Sequence, residues 1–227
     1  MKESNLMTKE EKKEVKKQEK FKRKEEKDFK KEIKKEEKLN KKNNIKTPWL
    51  KYKDVPSHLN YPKGTMVGYF LEAVARFPED IAIEYYGRTY TYRAFYEMIR
   101  DTAKSLKSQG VKEGDTIAIC MPNTPEAILM FYAANMVGAI VSLIHPLSAE
   151  KEIQNYINGS GATFLLSLDL VYDKVHNIVD NTCVKKIVIA SASDSLKTIK
   201  KFLYKFKNRG AVPKIELTDD IMTWNEF

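Results

Sequence analysis

The chain has 227 residues, 42% of them hydrophobic and 31% charged, with a formal net charge of +9. The charge is uneven: residues 1–46 hold 19 Lys or Arg and 11 Asp or Glu, so this tail carries +8 and the remainder is nearly neutral. The basic excess therefore says nothing about the folded part, and nucleic acid is not an expected partner of it. Two cysteines, Cys120 and Cys183, are too few for a disulfide framework, and no Cys or His pair stands at metal-ligand spacing. A reducing cytoplasm is the expected compartment.

Residues 1–46 are low-complexity Lys and Glu, with apolar residues only at Leu6, Met7, Val15, Phe21, Phe29, Ile33, Leu39 and Ile45. No heptad is sustained, so a coiled coil is not expected. Lys and Glu three or four apart favour a fluctuating charged helix that buries too little apolar surface to order itself. A solvated tail, helical or disordered, is favoured over contact with anionic lipid headgroups. RNA or ribosome contact ranks lower again, because no glycine and few aromatics interleave with the lysines. The tail holds no apolar run long enough for the core of a secretory signal. Residues 47–64, with Pro48, Pro56, Pro62 and Gly64, read as a linker.

Thr65 is placed to cap a helix over 66–77 (MVGYFLEAVARF), whose Val67, Phe70, Leu71, Val74 and Ala75 make one apolar stripe. Residues 81–86 (IAIEYY) and 89–92 (TYTY) alternate on either side of Gly87-Arg88, which is a hairpin pattern. Thr91 then caps a helix with Phe95, Ile99, Thr102, Ala103 and Leu106 on its buried face. Gly110 and Val111 close that helix, the glycine in a left-handed turn and the valine folded back on the last turn.

Residues 116–121 (TIAICM) read as a buried strand, and three helix-start signals follow it: the Thr124 hydroxyl, Pro125 at the first helical position and Glu126 near the positive dipole end. The helix ends near Gly138, and 139–144 (AIVSLI) reads as a second buried strand, giving a parallel crossover unit. Residues 127–149 lack Asp, Glu, Lys and Arg, and their length alone would permit a membrane span. Asn135, Gly138, Ser142, His145 and Pro146 interrupt the run, so the buried crossover is favoured.

Ser148 is placed to cap a helix with Ile153, Tyr156 and Ile157 on one side, ended by Asn158-Gly159. Residues 163–168 (TFLLSL) and 186–190 (KIVIA) read as strands around a helix near 169–180. Four strand-like runs separated by helices predict an α/β fold over 65–190: three layers, a mostly parallel sheet and helices on both faces. Residues 191–227 are expected to form an amphipathic helix and a connector. In 195–209 (SLKTIKKFLYKFKNR), Leu196, Ile199, Phe202, Leu203 and Phe206 share one face, while Lys197, Lys200, Lys201, Lys205, Lys207 and Arg209 decorate the rest. Packing of that stripe on the chain's own fold is favoured over a helix lying on a membrane.

Ligands of doubly wound sheets bind beyond the carboxyl ends of the strands, which makes Pro122 to Thr124, His145 and Ser167 to Asp169 the geometric candidates. None carries a chemical signature: there is no dinucleotide fingerprint, phosphate loop, nucleophile elbow or metalloprotease motif. The GSGAT segment at 159–163 ends a helix and begins a strand, the reverse of the order a phosphate cradle needs. His145 reads as a loop residue, having no carboxylate or nucleophile beside it, and His58 and His176 offer less. No catalytic, cofactor-binding or metal-binding residue is assigned.

The segments PEDIAIEYYGRTYTYRAF, GVKEGDTIAICMPN, TPEAILMFYAANMVGAI, the His145-Pro146 loop and SGATFLLS together resemble, in order and spacing over about 65–190, the N-terminal part of the AMP-forming acyl-CoA synthetase family. The closing IMTWNEF is similar to a segment that, in this family, shortly precedes the phosphate-binding loop. The resemblance implies an enzyme in which a carboxylate attacks ATP with Mg²⁺ to give acyl-AMP and pyrophosphate, before the acyl group passes to CoA. A fatty acid is the implied substrate. It also implies that the phosphate loop, the adenine, ribose and metal motifs and a C-terminal lysine lie downstream, and none occurs before Phe227. This chain alone is therefore expected to be inactive, with no tight hold on ATP, Mg²⁺ or CoA. Its expected partner is the missing C-terminal part of the ligase, in the same or an adjacent reading frame. The alternative is a non-catalytic membrane-surface or protein-interaction module on the same half-fold. An anionic membrane would be reached through 1–46 and 195–209, which would make a cytoplasmic protein peripheral to that membrane.

Overall fold

The computed structural model describes residues 23, 24, 27, 28, 30, 31, 34, 35, 38, 39, 41, 42, 59, 61 and 63–227. The chain divides into two compact units, 1–63 and 64–227. In the first, the described positions from 23 to 42 are helical and exposed, and Lys31 lies 3.7 Å from Asp28 one turn away. The rest of the expected tail, and the linker with Pro48, Pro56 and Pro62, lie outside the described residues.

The second unit begins with helix α1, Met66–Arg76, capped by the Thr65 hydroxyl, which accepts the Gly68 amide at 3.0 Å. Its expected stripe is only partly used: Val67 is buried and Phe70 and Val74 half-buried, while Leu71 and Ala75 are exposed. The helix touches the fold along one narrow line. Phe70 meets the rings of Tyr92, Phe95 and Tyr132 at 5.7, 6.2 and 4.9 Å, and the Val67 amide donates to Asn135 Oδ1 at 3.0 Å.

Strands β1 (Ile81–Tyr85) and β2 (Arg88–Thr91) pair antiparallel. Their turn is Tyr86-Gly87, one residue earlier than the sequence suggests, and both residues have positive φ (50° and 81°). Two left-handed residues give the turn whose twist matches the strands. Thr91 ends β2 and caps α2 (Tyr92–Ser108), and all five residues expected on the buried face of α2 are buried. The Val111 amide returns to the Leu106 carbonyl at 3.0 Å, closing the helix as expected.

The core sheet is parallel throughout, in the order β4-β3-β5-β6-β7. Its strands are β3 (Thr116–Cys120), β4 (Ile140–Ile144), β5 (Phe164–Leu168), β6 (Lys186–Ala190) and β7 (Ile221–Thr223). Helix α3 (Pro125–Val137) joins β3 to β4, and α4 (Glu150–Ser160) joins β4 to β5. A short 3₁₀ turn (Asp169–Val171) and α5 (Tyr172–Val179) lead to β6. The step from β3 to β4 and the step from β4 to β5 run in opposite directions along the sheet. Right-handed crossovers then require α3 and α4 on opposite faces. Accordingly α1 and α2 pack on α3, and α5 packs on α4. Helix α6 (Thr198–Lys207) lies between β6 and β7 in the chain.

Five expectations are corrected. Residues 139–144 do not form a buried strand: β4 is the sheet edge, and Ile140 and Leu143 are 58% and 70% exposed. Apolar composition cannot distinguish an edge strand from an interior one. Ala149, not Ser148, caps α4, with its amide bonded to Glu152 Oε2 at 3.1 Å, while the Ser148 carbonyl accepts Lys174 Nζ at 2.9 Å. Tyr156 is exposed, because it stands about 100° around the helix from buried Ile157. The helix does not end at Asn158-Gly159; it runs to Ser160, and Gly161 at φ 66° provides the left-handed cap. Finally, 221–223 is a fifth strand and not part of a connector. It is followed by Trp224 and Phe227, whose rings lie 5.7 Å apart and pack on the core.

Glycine positions separate strain from freedom. Gly138 caps α3 at φ 81°, and a Cβ there would stand 2.9 Å from Glu113 Cγ, whereas a Cβ on Gly159, inside α4, meets nothing within 4 Å. In urea denaturation, Gly138→Ala should lose about 1–2 kcal/mol, the cost of a left-handed alanine. Gly159→Ala should gain about 0.5–1 kcal/mol through helix propensity. Equal effects of the two changes would contradict the assigned caps.

Candidate functional site

The connection from β3 leads to the edge strand β4, and the chain then returns past β3 to β5 and continues outward. Between the carboxyl ends of β3 and β5 the winding direction reverses, and open α/β sheets bind ligands at such a point. The structure brings the three sequence-derived groups to this one edge: Pro122, Asn123 and Thr124 after β3, His145 after β4, and Ser167, Leu168 and Asp169 around the end of β5.

Their bonds shape loops. Thr124, Ser167 and Asp169 are buried. The Thr124 hydroxyl accepts the Ala127 amide at 3.4 Å, Ser167 donates to the Leu168 carbonyl at 3.4 Å, and Asp169 Oδ1 accepts the Leu170 amide at 2.8 Å. His145 is exposed, and its Nδ1 accepts the Leu147 amide at 3.2 Å, which staples the turn around Pro146. His176 stacks on Tyr172 with centroids 5.7 Å apart, and His58 lies outside the described residues.

Sequence reasoning missed the group at the centre of this edge. Glu126 reads as a helix-dipole partner in the sequence, yet it is only 1% exposed. Its Oε1 accepts the Ser195 hydroxyl at 2.5 Å, and its Oε2 is buried without a hydrogen-bond partner. Burial lifts this carboxyl above the usual glutamate range, and the donation from Ser195 offsets only part of the rise. Tyr85, at the end of β1, donates to the Ala192 carbonyl at 3.0 Å. Burial, and secondarily the charge of Glu126, pushes its phenol up to about 12.

The loop after β6 holds itself together. The Ser191 and Ser193 hydroxyls are 2.9 Å apart, the Ser191 amide donates to Asp194 Oδ2 at 2.8 Å, and Lys201 pairs with Asp194 Oδ1 at 3.3 Å. Two signals could have found this network. One is the small polar run SASDS directly after KIVIA, and the other is a lone acid inside the uncharged helix α3.

Chemically the arrangement is a latch between α3 and the loop after β6. The Ser191 and Ser193 hydroxyls bond to each other, and the Ser195 hydroxyl donates to the Glu126 carboxyl. Asp194 at this edge is paired with Lys201, and Lys174 donates to the Ser148 carbonyl after β4. Among the described residues, no group of three or more His, Cys, Asp or Glu could hold a metal ion. Burial pushes the Cys120 thiol up to about 11, which makes it a packing residue and not a nucleophile.

Residues 70–223 match the family model described as AMP-binding enzyme. The chain belongs to the AMP-binding enzyme family. This AMP-binding-family chain is 31% identical over 162 residues to a long-chain-fatty-acid–CoA ligase of Bacillus subtilis, an alignment covering 69% of this chain and 28% of that protein. It is 30% identical over 185 residues to a ligase of the same description from Escherichia coli O6:H1, covering 78% and 33%. The chain thus spans about a third or less of the length of these curated relatives. Among solved structures, coronafacic acid ligase from Pectobacterium brasiliense aligns with a TM-score of 0.57 at 21% identity, covering 72% of this chain and 29% of that one. A long-chain-fatty-acid-CoA ligase from Archaeoglobus fulgidus aligns with a TM-score of 0.55 at 24% identity, covering 61% and 30%. At these identities the likeness is one of fold.

The latch predicts a pH dependence. The folded protein holds the Glu126 proton more tightly than the unfolded chain does, so unfolding releases it. This group's contribution to stability therefore falls as pH rises above the ordinary glutamate value of 4.5. Glu126→Gln keeps the shape without ionising and should flatten that part of the decline in urea denaturation across acid to neutral pH. Ser195→Ala should cost about 1–3 kcal/mol by leaving the second carboxyl oxygen unpartnered. An unchanged pH slope in Glu126→Gln would place the titrating group elsewhere.

Proposed function

We propose that this chain is the N-terminal α/β portion of an AMP-forming ligase that activates a carboxylic acid as acyl-AMP and transfers it to CoA, with a fatty acid as substrate. One observation carries the reading: the family match extends across 70–223, while no threonine- and glycine-rich phosphate loop occurs anywhere in the 227 residues. The fatty-acid assignment is supported by relatives at 30–31% identity that are named long-chain-fatty-acid–CoA ligases.

In this reading ATP, Mg²⁺ and CoA belong to the whole enzyme. Acyl-AMP formation needs positive charge placed against the α-phosphate as pyrophosphate leaves, and positioning and electrostatics supply most of such catalysis. A threonine- and glycine-rich phosphate loop that would place such charge does not occur in the 227 residues. The chain is therefore a scaffold that is inactive alone, and its partner is the segment carrying the phosphate loop. Two free cysteines support a reducing, cytoplasmic setting.

A second reading, a non-catalytic module on the same half-fold, is favoured by α6, whose Ile199, Phe202, Leu203 and Phe206 are exposed. Pyrophosphate exchange separates the two. The chain with ATP, Mg²⁺ and a long-chain fatty acid should give background exchange, and adding the complementary ligase segment should raise exchange above that segment's own rate. No gain from a complement that binds the chain would favour the module, and exchange by the chain alone would contradict the scaffold reading.

A further inference from the structure

Helix α6 is turned the opposite way from an ordinary surface helix. Its polar side faces the fold: Lys200 Nζ donates to the Tyr86 carbonyl at 2.6 Å, and Lys201 pairs with Asp194 at 3.3 Å. Its apolar side faces outward. Ile199, Phe202, Leu203 and Phe206 are 77%, 70%, 58% and 71% exposed, in the i, i+3, i+4, i+7 spacing of one helical stripe. The expectation that this stripe packs on the chain's own fold is thereby corrected for the described residues. Only Leu196, ahead of the helix, is buried.

The charge around the stripe is of one sign. No Asp or Glu occurs from 195 to 215, and Lys197, Lys200, Lys207 and Arg209 are exposed. Lys200 and Lys207 flank the apolar arc on one side when the helix is viewed end on. A face destined for a neutral protein surface gains nothing from such an excess of cations, whereas an anionic headgroup layer pairs with it while accepting the stripe. Among the described residues, no helix is long and apolar enough to cross a membrane, so α6 would lie in the interface and not span it.

We propose that α6 binds an anionic lipid surface, with Ile199, Phe202, Leu203 and Phe206 inserted among the headgroups and Lys207 and Arg209 on lipid phosphates. Because Leu196 and the Asp194–Lys201 pair tie α6 to the loop after β6, the carboxyl edge of the sheet is held near that surface. The inference does not depend on the ligase reading, since vesicle binding and pyrophosphate exchange can each fail alone.

The test is flotation of the full chain with vesicles of phosphatidylcholine containing about one-third phosphatidylglycerol, and with vesicles of phosphatidylcholine alone. The chain should float with the anionic vesicles only. Phe202→Glu with Phe206→Glu should reduce the bound fraction roughly tenfold or more, with the melting temperature unchanged because both side chains are exposed. Part of the unmodified chain's binding should also survive about 1 M salt, which screens purely electrostatic contact by the basic residues of 1–46. Binding that is unaffected by the double substitution and abolished by salt would assign attachment to the tail and overturn the proposal. Three further results would also overturn it: no flotation at all, a concentration-dependent dimer dissolved by the same substitutions, or flotation blocked by the complementary ligase segment.

Discussion

Everything in the folded unit hangs on β3. All five of its residues are buried, and it bonds in parallel to β4 on one side and β5 on the other. Parallel partners cannot be reached by a tight turn, so each requires a crossover helix, and those helices must cover the faces of the sheet. Placing β3 between its two successors forces the chain to reverse direction. That reversal puts α3 and α4 on opposite faces and creates the point where β3 and β5 end side by side. The uncharged run from 127 to 149 is a consequence, since its first half is a helix packed against α1, α2, β3 and β4.

The same reversal decides what the carboxyl edge contains. Helix α3 begins there, and its second residue, Glu126, is carried into the core by the close approach of the loop after β6. A buried carboxyl with one hydrogen-bonded oxygen is costly unless it holds a proton, and burial moves it in that direction. The edge is consequently a joint between α3 and the loop after β6. It fixes the 191–195 loop, Tyr85 of the hairpin and, through Asp194 and Lys201, the start of α6. The structure thus carries the family fold over 70–223 with this joint at its switch point.

What was legible in the sequence was local. Thr65, Thr91 and Thr124 cap helices because a hydroxyl three residues before an orphan amide satisfies it whatever the rest of the fold does. Gly110, Gly138 and the buried face of α2 were readable for the same reason. The local failures are shifts of one or two residues, as at the Ala149 and Gly161 caps, and the larger ones are non-local. AIVSLI and TIAICM have similar composition, and only the strand order makes one an edge and the other the centre. Ile221–Thr223 is too short to announce itself and becomes a strand because β6 offers it an open ladder. The stripe of α6 has the periodicity of a core-facing helix, but which side turns inward depends on Tyr86 and Asp194, which meet Lys200 and Lys201 only in three dimensions. Glu126 was readable as a first-turn acid, but not its burial against Ser195, 69 positions away.

The central claim is that this chain supplies the scaffold of an AMP-forming ligase and leaves nucleotide recognition to another segment. Calorimetric titration of the purified chain with ATP and Mg²⁺ tests it most directly. The account predicts no saturable heat, corresponding to a dissociation constant weaker than about 1 mM. Saturable binding at micromolar ATP would contradict it and would locate a phosphate site within these 227 residues.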